Sequence, residues 1–333
     1  MNPLPARRPT LPVRIAGTSA IRPGRAVSTG ELVARLATRR DAADIEARTG
    51  VRRRYFADAD ATAAALGAEA LHAALTAAGL PAEALSRIIF VSSSGGDVLS
   101  PATANRVAAA LGLHGTCDCF DVNNACMGFL SALDIAARSI VTGSGPVGIV
   151  VGELLSRFIT PDDPRPFLVF GDAVAAVVLD ASRDGGGVLG AFLRNDGTVA
   201  SDVGIGHPGL TGERETIRFG MTNEEMAHAA IAAVRRSTDA VLAQAALSLP
   251  DIEWLLPHQP NGTMLTAMIQ ALGFDPARVV RIVDEVGSVA AASIPLSLDR
   301  LLRTQRVRPH DRVLMVGVGA GMSAGALLLE LDG

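Results

Sequence analysis

The two halves of this chain run through the same elements in the same order, at an offset of roughly 165 residues. That duplication constrains the fold more than any other feature. In the first half a helix over 63–78 stops at Gly79-Leu80-Pro81, and an apolar strand follows at Ile88-Ile89-Phe90-Val91. A loop over 92–96 and a helix over 102–111 come next. In the second half an Ala-rich helix over 230–246 stops at Leu247-Ser248-Leu249-Pro250, and Trp254-Leu255-Leu256-Pro257 is the buried strand. A loop over 258–262 and a helix over 264–272 complete the parallel, and the helix ends match: Leu111-Gly112-Leu113 against Leu272-Gly273-Phe274. Each half then runs a strand (120–122; 279–283), a polar turn and an apolar helix, and closes on a strand near 147–151 or 313–316. A repeat this long is a duplicated domain-sized unit, because solenoid repeats are ~20–50 residues. Alternating strands and helices predict an α/β fold, with sheets covered by helices, divided at residues 1–182 and 183–333. Two such copies put equivalent loops face to face, here those carrying Cys126, His258 and Ser288, and sites in such folds form outside strand ends.

The first of those loops lies in Phe120-Asp121-Val122-Asn123-Asn124-Ala125-Cys126-Met127-Gly128-Phe129-Leu130. It reads as a strand end, a tight polar turn and a helix whose first turns are apolar on every side, which belongs inside a domain. Cys126 is predicted at the start of that helix, where free backbone N–H groups and the helix dipole lower a thiol pKa toward the thiolate. Taken alone, an intracellular Cys is usually a small buried hydrophobe. Among the six His residues, His258 alone follows a buried strand directly. A structural His is the ordinary alternative, but the repeat sets His258 beside the Cys126 loop, and a Cys with a nearby base is the recipe for covalent acyl transfer.

Composition removes competing readings. Hydrophobic residues make up 49% and aromatics only 4%, so the cores are packed by Ala, Val and Leu. No run reaches the ~18 apolar residues of a membrane span. The start, Met1-Asn2-Pro3-Leu4-Pro5-Ala6-Arg7-Arg8, lacks the apolar core of a secretory signal, so a cytoplasmic enzyme is expected. A net charge of −4 argues against nucleic acid as the main partner. All 30 basic residues are Arg, which excludes Schiff-base chemistry on Lys and a phosphate-binding P-loop. Three Cys form no disulfide framework, and Cys117-Asp118-Cys119 lacks the His partners of a metal site. Gly185 to Gly190 fits G-x-G-x-x-G, but a strand pattern follows where a dinucleotide fingerprint needs a helix, so a hairpin turn is predicted. Gly321-Met322-Ser323-Ala324-Gly325 fits a hydrolase elbow, yet no His follows it in the short tail.

Read together, these residues resemble the ketoacyl-ACP synthase III group of the thiolase superfamily, from Val13 to Leu331. Arg48-Thr49-Gly50-Val51-Arg52 resembles its R-T-G-I-R segment, and Phe120 to Phe129 its F-D-V-x-x-A-C-x-G-F around the acyl-accepting Cys. Glu153 to Arg157 and Phe170-Gly171-Asp172 match mid-chain signatures. Pro257-His258-Gln259-Pro260-Asn261 resembles P-H-Q-A-N, and Ala291 to Pro295 the segment after the third catalytic residue. The resemblance implies a five-layered αβαβα fold and a homodimer. It also implies acyl transfer through a Cys thioester in polyketide or fatty acid biosynthesis, with no resident cofactor or metal. Phosphopantetheine would arrive on the substrate's carrier, an acyl carrier protein or, less favoured, CoA; the acceptor would be a small molecule or carrier-bound. Asn261 matches the pantetheine tunnel, and Arg48 with Arg52 to Arg54 would meet a carrier protein, unless they are simply solvated.

Four positions depart from the pattern. Ser288 stands where the family's catalytic Asn would be, and one lost oxyanion-type donor costs roughly 10²–10³ in rate. Asp44 aligns with the Trp that stacks the adenine of CoA. Ser100, ahead of Pro101, replaces a bulky residue of the acyl-pocket loop and implies a roomier pocket. Gly319-Ala320-Gly321 replaces G-G-G at the oxyanion hole, whose donors would be the backbone N–H groups of Cys126 and Ala320. The expected reaction is therefore ping-pong: Cys126 takes the acyl group, and His258, with Ser288, assists its transfer to an acceptor without decarboxylation. A decarboxylating synthase that tolerates Ser288 and a non-catalytic partner subunit are the alternatives.

Overall fold

The computed structural model describes residues 10–199, 203–211, 215–304 and 307–333. Two sheets carry the architecture. The first has five strands: Val13–Ile21, Asp172–Ala181, Val147–Leu154, Arg87–Val91 and Asp118–Val122, in that spatial order. The second has four: Gly187–Asn195, Ser323–Glu330, Arg312–Gly319 and Trp254–Pro257. Pairing directions agree strand for strand, two antiparallel contacts followed by a parallel one. The first sheet adds a parallel edge strand, Asp118–Val122. Its counterpart is reduced to a single bridge between Leu255 and Val279.

The segment 279–283 is thus not the strand that the repeat predicts. Gln259, fully buried, reaches into it and accepts from the backbone N–H groups of Ile282 (2.9 Å) and Val283 (3.1 Å). Its amide donates to the Val280 carbonyl (2.8 Å). Donors that a strand would give to a neighbour go to a side chain instead, and a short helix, Val283–Val286, follows.

Three apolar cores separate five layers. The central one holds helices Gly128–Val141 and Ser293–Thr304 between the inner faces of both sheets. Helix Gly128–Val141 buries Phe129, Leu130, Leu133 and Ala137 completely, while Asp134 and an exposed Arg138 pair on its other face at 2.8 Å. On the outer face of the first sheet lie helices Ala63–Ala78 and Thr103–Ala110. On that of the second lie Asn223–Ala245 and Gly262–Leu272.

The scarcity of aromatics shows in how closely the outer helix approaches its sheet. Gly17, after a β-bulge at Ala16, lies under helix Ala63–Ala78; a Cβ there would fall on the Ala74 carbonyl oxygen and 2.8 Å from the Ala78 nitrogen. Both are backbone atoms and cannot rotate away. Gly17→Ala is expected to cost about 1–3 kcal/mol by overpacking, read as a lower urea midpoint at unchanged m-value.

Candidate active site

Strand Asp118–Val122 delivers the chain to a turn that holds Cys126. Asp121 is spent on structure: its carboxylate caps helix Thr103–Ala110 through the N–H groups of Thr103 (2.6 Å) and Ala104 (2.9 Å). Asn124 is anchored on both sides, donating to Ser131 Oγ (2.9 Å) and accepting from Ser323 Oγ (2.8 Å). The Ser of the hydrolase-like motif is therefore a support for the Cys loop. Ala125 has φ +44°, a left-handed conformation costly for a residue with a Cβ. This kink throws Cys126 out of the turn.

The helix begins at Gly128 with Met127 as its cap, so Cys126 stands just outside it and not in its first turn. The backbone N–H groups of Cys126 and Ala320 still favour the thiolate. Burial outweighs them. The sulfur is desolvated and near the Glu153 carboxylate, and together these push the thiol up to about 12, against the expectation of a lowered value. The desolvation comes from residues remote in sequence. Cys126 packs on a cluster of Leu155, Ile217 and Ala290, with Phe170 and Phe219 beside them. Those two rings stack with centroids 6.3 Å apart.

His258 follows strand Trp254–Pro257, and its N–H donates to the Val316 carbonyl (2.8 Å). The ring is buried at 4% exposure, and neither nitrogen makes a well-formed hydrogen bond among the described residues, although the Val318 backbone approaches one. Desolvation lowers its pKa to about 4, with the Val318 backbone pulling weakly the other way. The imidazole is therefore neutral at ordinary pH.

Strand Arg312–Gly319 runs under both His258 and the Cys126 loop. A Cβ on Gly317 would sit 3.2 Å from the His258 Cβ and 2.9 Å from the Met127 sulfur. A Cβ on Gly319 would sit 3.0 Å from the Cys126 nitrogen and 3.3 Å from its Cβ. Alternate strand residues share a face and lie about 7 Å apart. The second half of the chain thus brings His258 beside the nucleophile loop of the first. Gly319 has ordinary extended angles, φ −135° and ψ 172°, so Gly319→Ala is strained only by its contact with the Cys126 loop. It should slow acylation of Cys126 about 10–100-fold, since sub-ångström misplacement carries such costs, with little change in melting temperature.

Ser288 is buried and clamped through its backbone: its N–H donates to Val169 (2.8 Å) and its carbonyl accepts from Gly171 (3.0 Å). The other expected residues lie further out. Asn261 caps helix Gly262–Leu272 by accepting from Met264 N–H (2.8 Å). Arg48 is exposed and paired with Asp44 at 3.0 Å; its carbonyl accepts from Thr263 Oγ1 across the same junction. Ser100 is exposed, in the loop after strand Arg87–Val91. Arg54, grouped with the exposed arginines from its sequence run, is fully buried. It donates to Thr29 Oγ1 (3.0 Å) and Leu168 O (2.5 Å), so it cannot meet a partner. Arg52 is exposed as expected and pairs with Asp284 at 2.7 Å.

Glu153 was not singled out for a role, yet it is fully buried beside Cys126. The signal was available: it is a carboxylate ending an otherwise apolar run, Val147 to Gly152.

Two family models match this chain: 3-oxoacyl-[acyl-carrier-protein (ACP)] synthase III over residues 120–197, and the C-terminal part of the same family over 242–331. The β-ketoacyl-[acyl-carrier-protein] synthase III of Methylococcus capsulatus is 36% identical over 322 residues, 95% of this chain and 98% of that protein. The 3-oxoacyl-(acyl carrier protein) synthase III of Pseudomonas aeruginosa superposes with a TM-score of 0.87 at 31% identity, covering 98% of this chain and 99% of the other. The priming β-ketosynthase of the R1128 polyketide pathway gives 0.88 at 29% identity, over 99% of this chain and 98% of that one. Among the described residues, no helix is long and apolar enough to cross a membrane.

Proposed function

The chain belongs to the 3-oxoacyl-[acyl-carrier-protein] synthase III family and has a thiolase-like α/β fold, and on that premise we propose that it loads an acyl group onto Cys126 and passes it to an acceptor nucleophile without decarboxylation. The observation that carries the reading is the placement of one strand against both His258 and the Cys126 loop, with the N–H groups of Cys126 and Ala320 favouring negative charge on a sulfur that packs on an apolar cluster. A thioester carbonyl bonded to that sulfur would place its oxygen near both donors as it becomes tetrahedral, while its chain lies along Phe170 and Phe219. Because Cys126 rests as a thiol, its proton must leave on attack; the neutral His258 is the base that takes it and returns it to the departing carrier thiol. In the second half-reaction His258 deprotonates the acceptor as it attacks the acyl-enzyme.

Similar proteins are named for the acyl carrier protein, and Asp44 offers no ring to an adenine, so an acyl carrier protein is proposed as donor ahead of CoA. Arg48 and Arg52, both exposed, are the proposed carrier contacts, and Asn261 the tunnel residue. A homodimer is proposed as well: strand Asp118–Val122 ends its sheet and pairs on one side only among the described residues.

Ser288 decides the second half. Loss of CO₂ from a malonyl group leaves an enolate, and His258 has only a short, backbone-clamped hydroxyl to help hold it. The relatives' names favour a second reading, decarboxylating condensation. Incubation with acyl-ACP and acyl-CoA panels, followed by malonyl-ACP, separates them. An acyl mass on the Cys126 peptide without CO₂ release is the expected result; CO₂ with a β-ketoacyl product would establish condensation, and no adduct would leave a non-catalytic subunit. Ser288→Asn is expected to raise CO₂ release at least tenfold, toward the roughly 10²–10³ that one oxyanion donor is worth. An unchanged rate would refute this account of Ser288.

A further inference from the structure

Glu153 is the penultimate residue of strand Val147–Leu154 and has no solvent exposure, where an unpaired carboxylate would be costly. What meets it are hydrogen bonds from two directions. Ser93 donates its N–H to both oxygens (3.1 and 3.2 Å) and its hydroxyl to Oε2 (2.7 Å). Ala291 donates its N–H to Oε1 (3.2 Å). Ser93 opens the loop that carries Ser100, and Ala291 lies three residues after Ser288. One carboxyl group thus ties the strand to a loop of the first half and to the Ser288 segment of the second. Asp172, on the neighbouring strand, is the titratable group that acts on it, and Glu153 in turn acts on Cys126, on the turn before the central helix. Asp172 is committed elsewhere, accepting from Ala57 N–H and from Ser156. Among the described residues no cation bonds to Glu153, so its negative charge bears on the sulfur without an offsetting pair there.

We propose that Glu153 is a positioning residue that fixes the Ser93 and Ser288 loops around Cys126 and, once ionised, adds to burial in opposing formation of the thiolate. A resting thiol is protected from oxidation and alkylation, because the thiolate is the reactive form. Burial holds the Glu153 carboxyl at about 7, so the restraint switches on near neutral pH. Glu153 bears on the reaction only through Cys126 as acyl acceptor; alkylation of the sulfur needs no acyl transfer, so the two readings fail separately.

The probe is iodoacetamide, followed on the Cys126 peptide by mass spectrometry from pH 6 to 9.5. For an isolated thiol below its pKa, the logarithm of the rate rises with unit slope. In the wild type the slope should sag near pH 7, where Glu153 ionises and makes the thiolate harder to form. Glu153→Gln keeps an oxygen for Ser93 and Ala291 N–H, and its amide can donate to a turned Ser93 hydroxyl. This variant should show a straight profile and alkylate about tenfold faster at pH 9, the change that one pKa unit represents. Ser93→Ala retains the carboxyl but removes one of its donors, and should move the sag to higher pH. A Glu153→Gln profile with the sag intact, or one slower at every pH, would overturn the proposal, as would a straight wild-type profile. Should Glu153→Gln not fold, the direction of the Ser93→Ala shift decides.

Discussion

Cys126→Ala is expected to take up no acyl group and to lose essentially all turnover, a fall of at least about 10⁴-fold. Removing a nucleophile that forms the covalent intermediate leaves only what binding and oxyanion donors contribute, and losses of roughly 10⁶ are known for such deletions. The fold should tolerate the change. Cys126 makes no side-chain hydrogen bond to another side chain among the described residues, and the turn that holds it is built by Asn124, Ala125 and Ser323. Exposing a smaller side chain at a half-buried position beside Leu155 and Phe170 costs about 1 kcal/mol. A Cys126→Ala protein that melts near the wild type, yet shows no acyl mass and no product, is the predicted outcome. Product formation at even a hundredth of the wild-type rate would mean that the acyl group passes directly from donor to acceptor, and the ping-pong scheme would fall. Cys126→Ser is a sharper variant, since it preserves shape: a hydroxyl is a far weaker nucleophile here, and His258 alone would have to activate it.

How far the sequence reaches is clearest where it stops. Helix Ala63–Ala78 and strand Trp254–Pro257 have the bounds that their apolar runs and Gly/Pro stops predict, because local chemistry decides both. Segment 279–283 reads as a strand on its own, but Gln259, some twenty residues earlier, occupies its backbone donors. Arg54 sits in a run of three arginines of which only Arg52 and Arg53 face solvent; its burial depends on Val27, Thr29 and Leu168 meeting around it, which charge patterning cannot anticipate. The thiol shows the same limit. Position near a helix start was readable, while the desolvation that reverses the expected pKa comes from Ile217, Ala290 and Phe170, which only the folded chain assembles.

His258→Gln and Glu153→Gln are expected to tilt the pH dependence of stability in opposite directions. Folding favours neutral His258, with its pKa near 4 instead of the ordinary 6.5. The unfolded chain therefore takes up the proton first, and this group's contribution, complete above about pH 6.5, is lost as pH falls toward 4. Glu153 does the reverse. Its pKa of about 7 lies above the ordinary 4.5, so the unfolded chain gives up the proton first. That contribution is complete below about pH 4.5 and is lost as pH rises through 7. At 1.4 kcal/mol per pKa unit, each swing amounts to about 3.5 kcal/mol. Between about pH 4.5 and 6.5 the two slopes oppose and nearly cancel. Relative to wild type, His258→Gln should then lose stability as pH rises from 4 to 6.5, and Glu153→Gln as it falls from 7 to 4.5, both read from urea midpoints at fixed m-value. Two variants that track the wild type at every pH would show that neither group is as dry as its surroundings imply. The same neutral imidazole carries the chemistry: His258→Gln should slow acyl loading at pH 7 by roughly 10²–10⁴. In the wild type the acid limb of that rate should lie near pH 4, since His258 remains a free base well below the range where an exposed histidine would already be protonated.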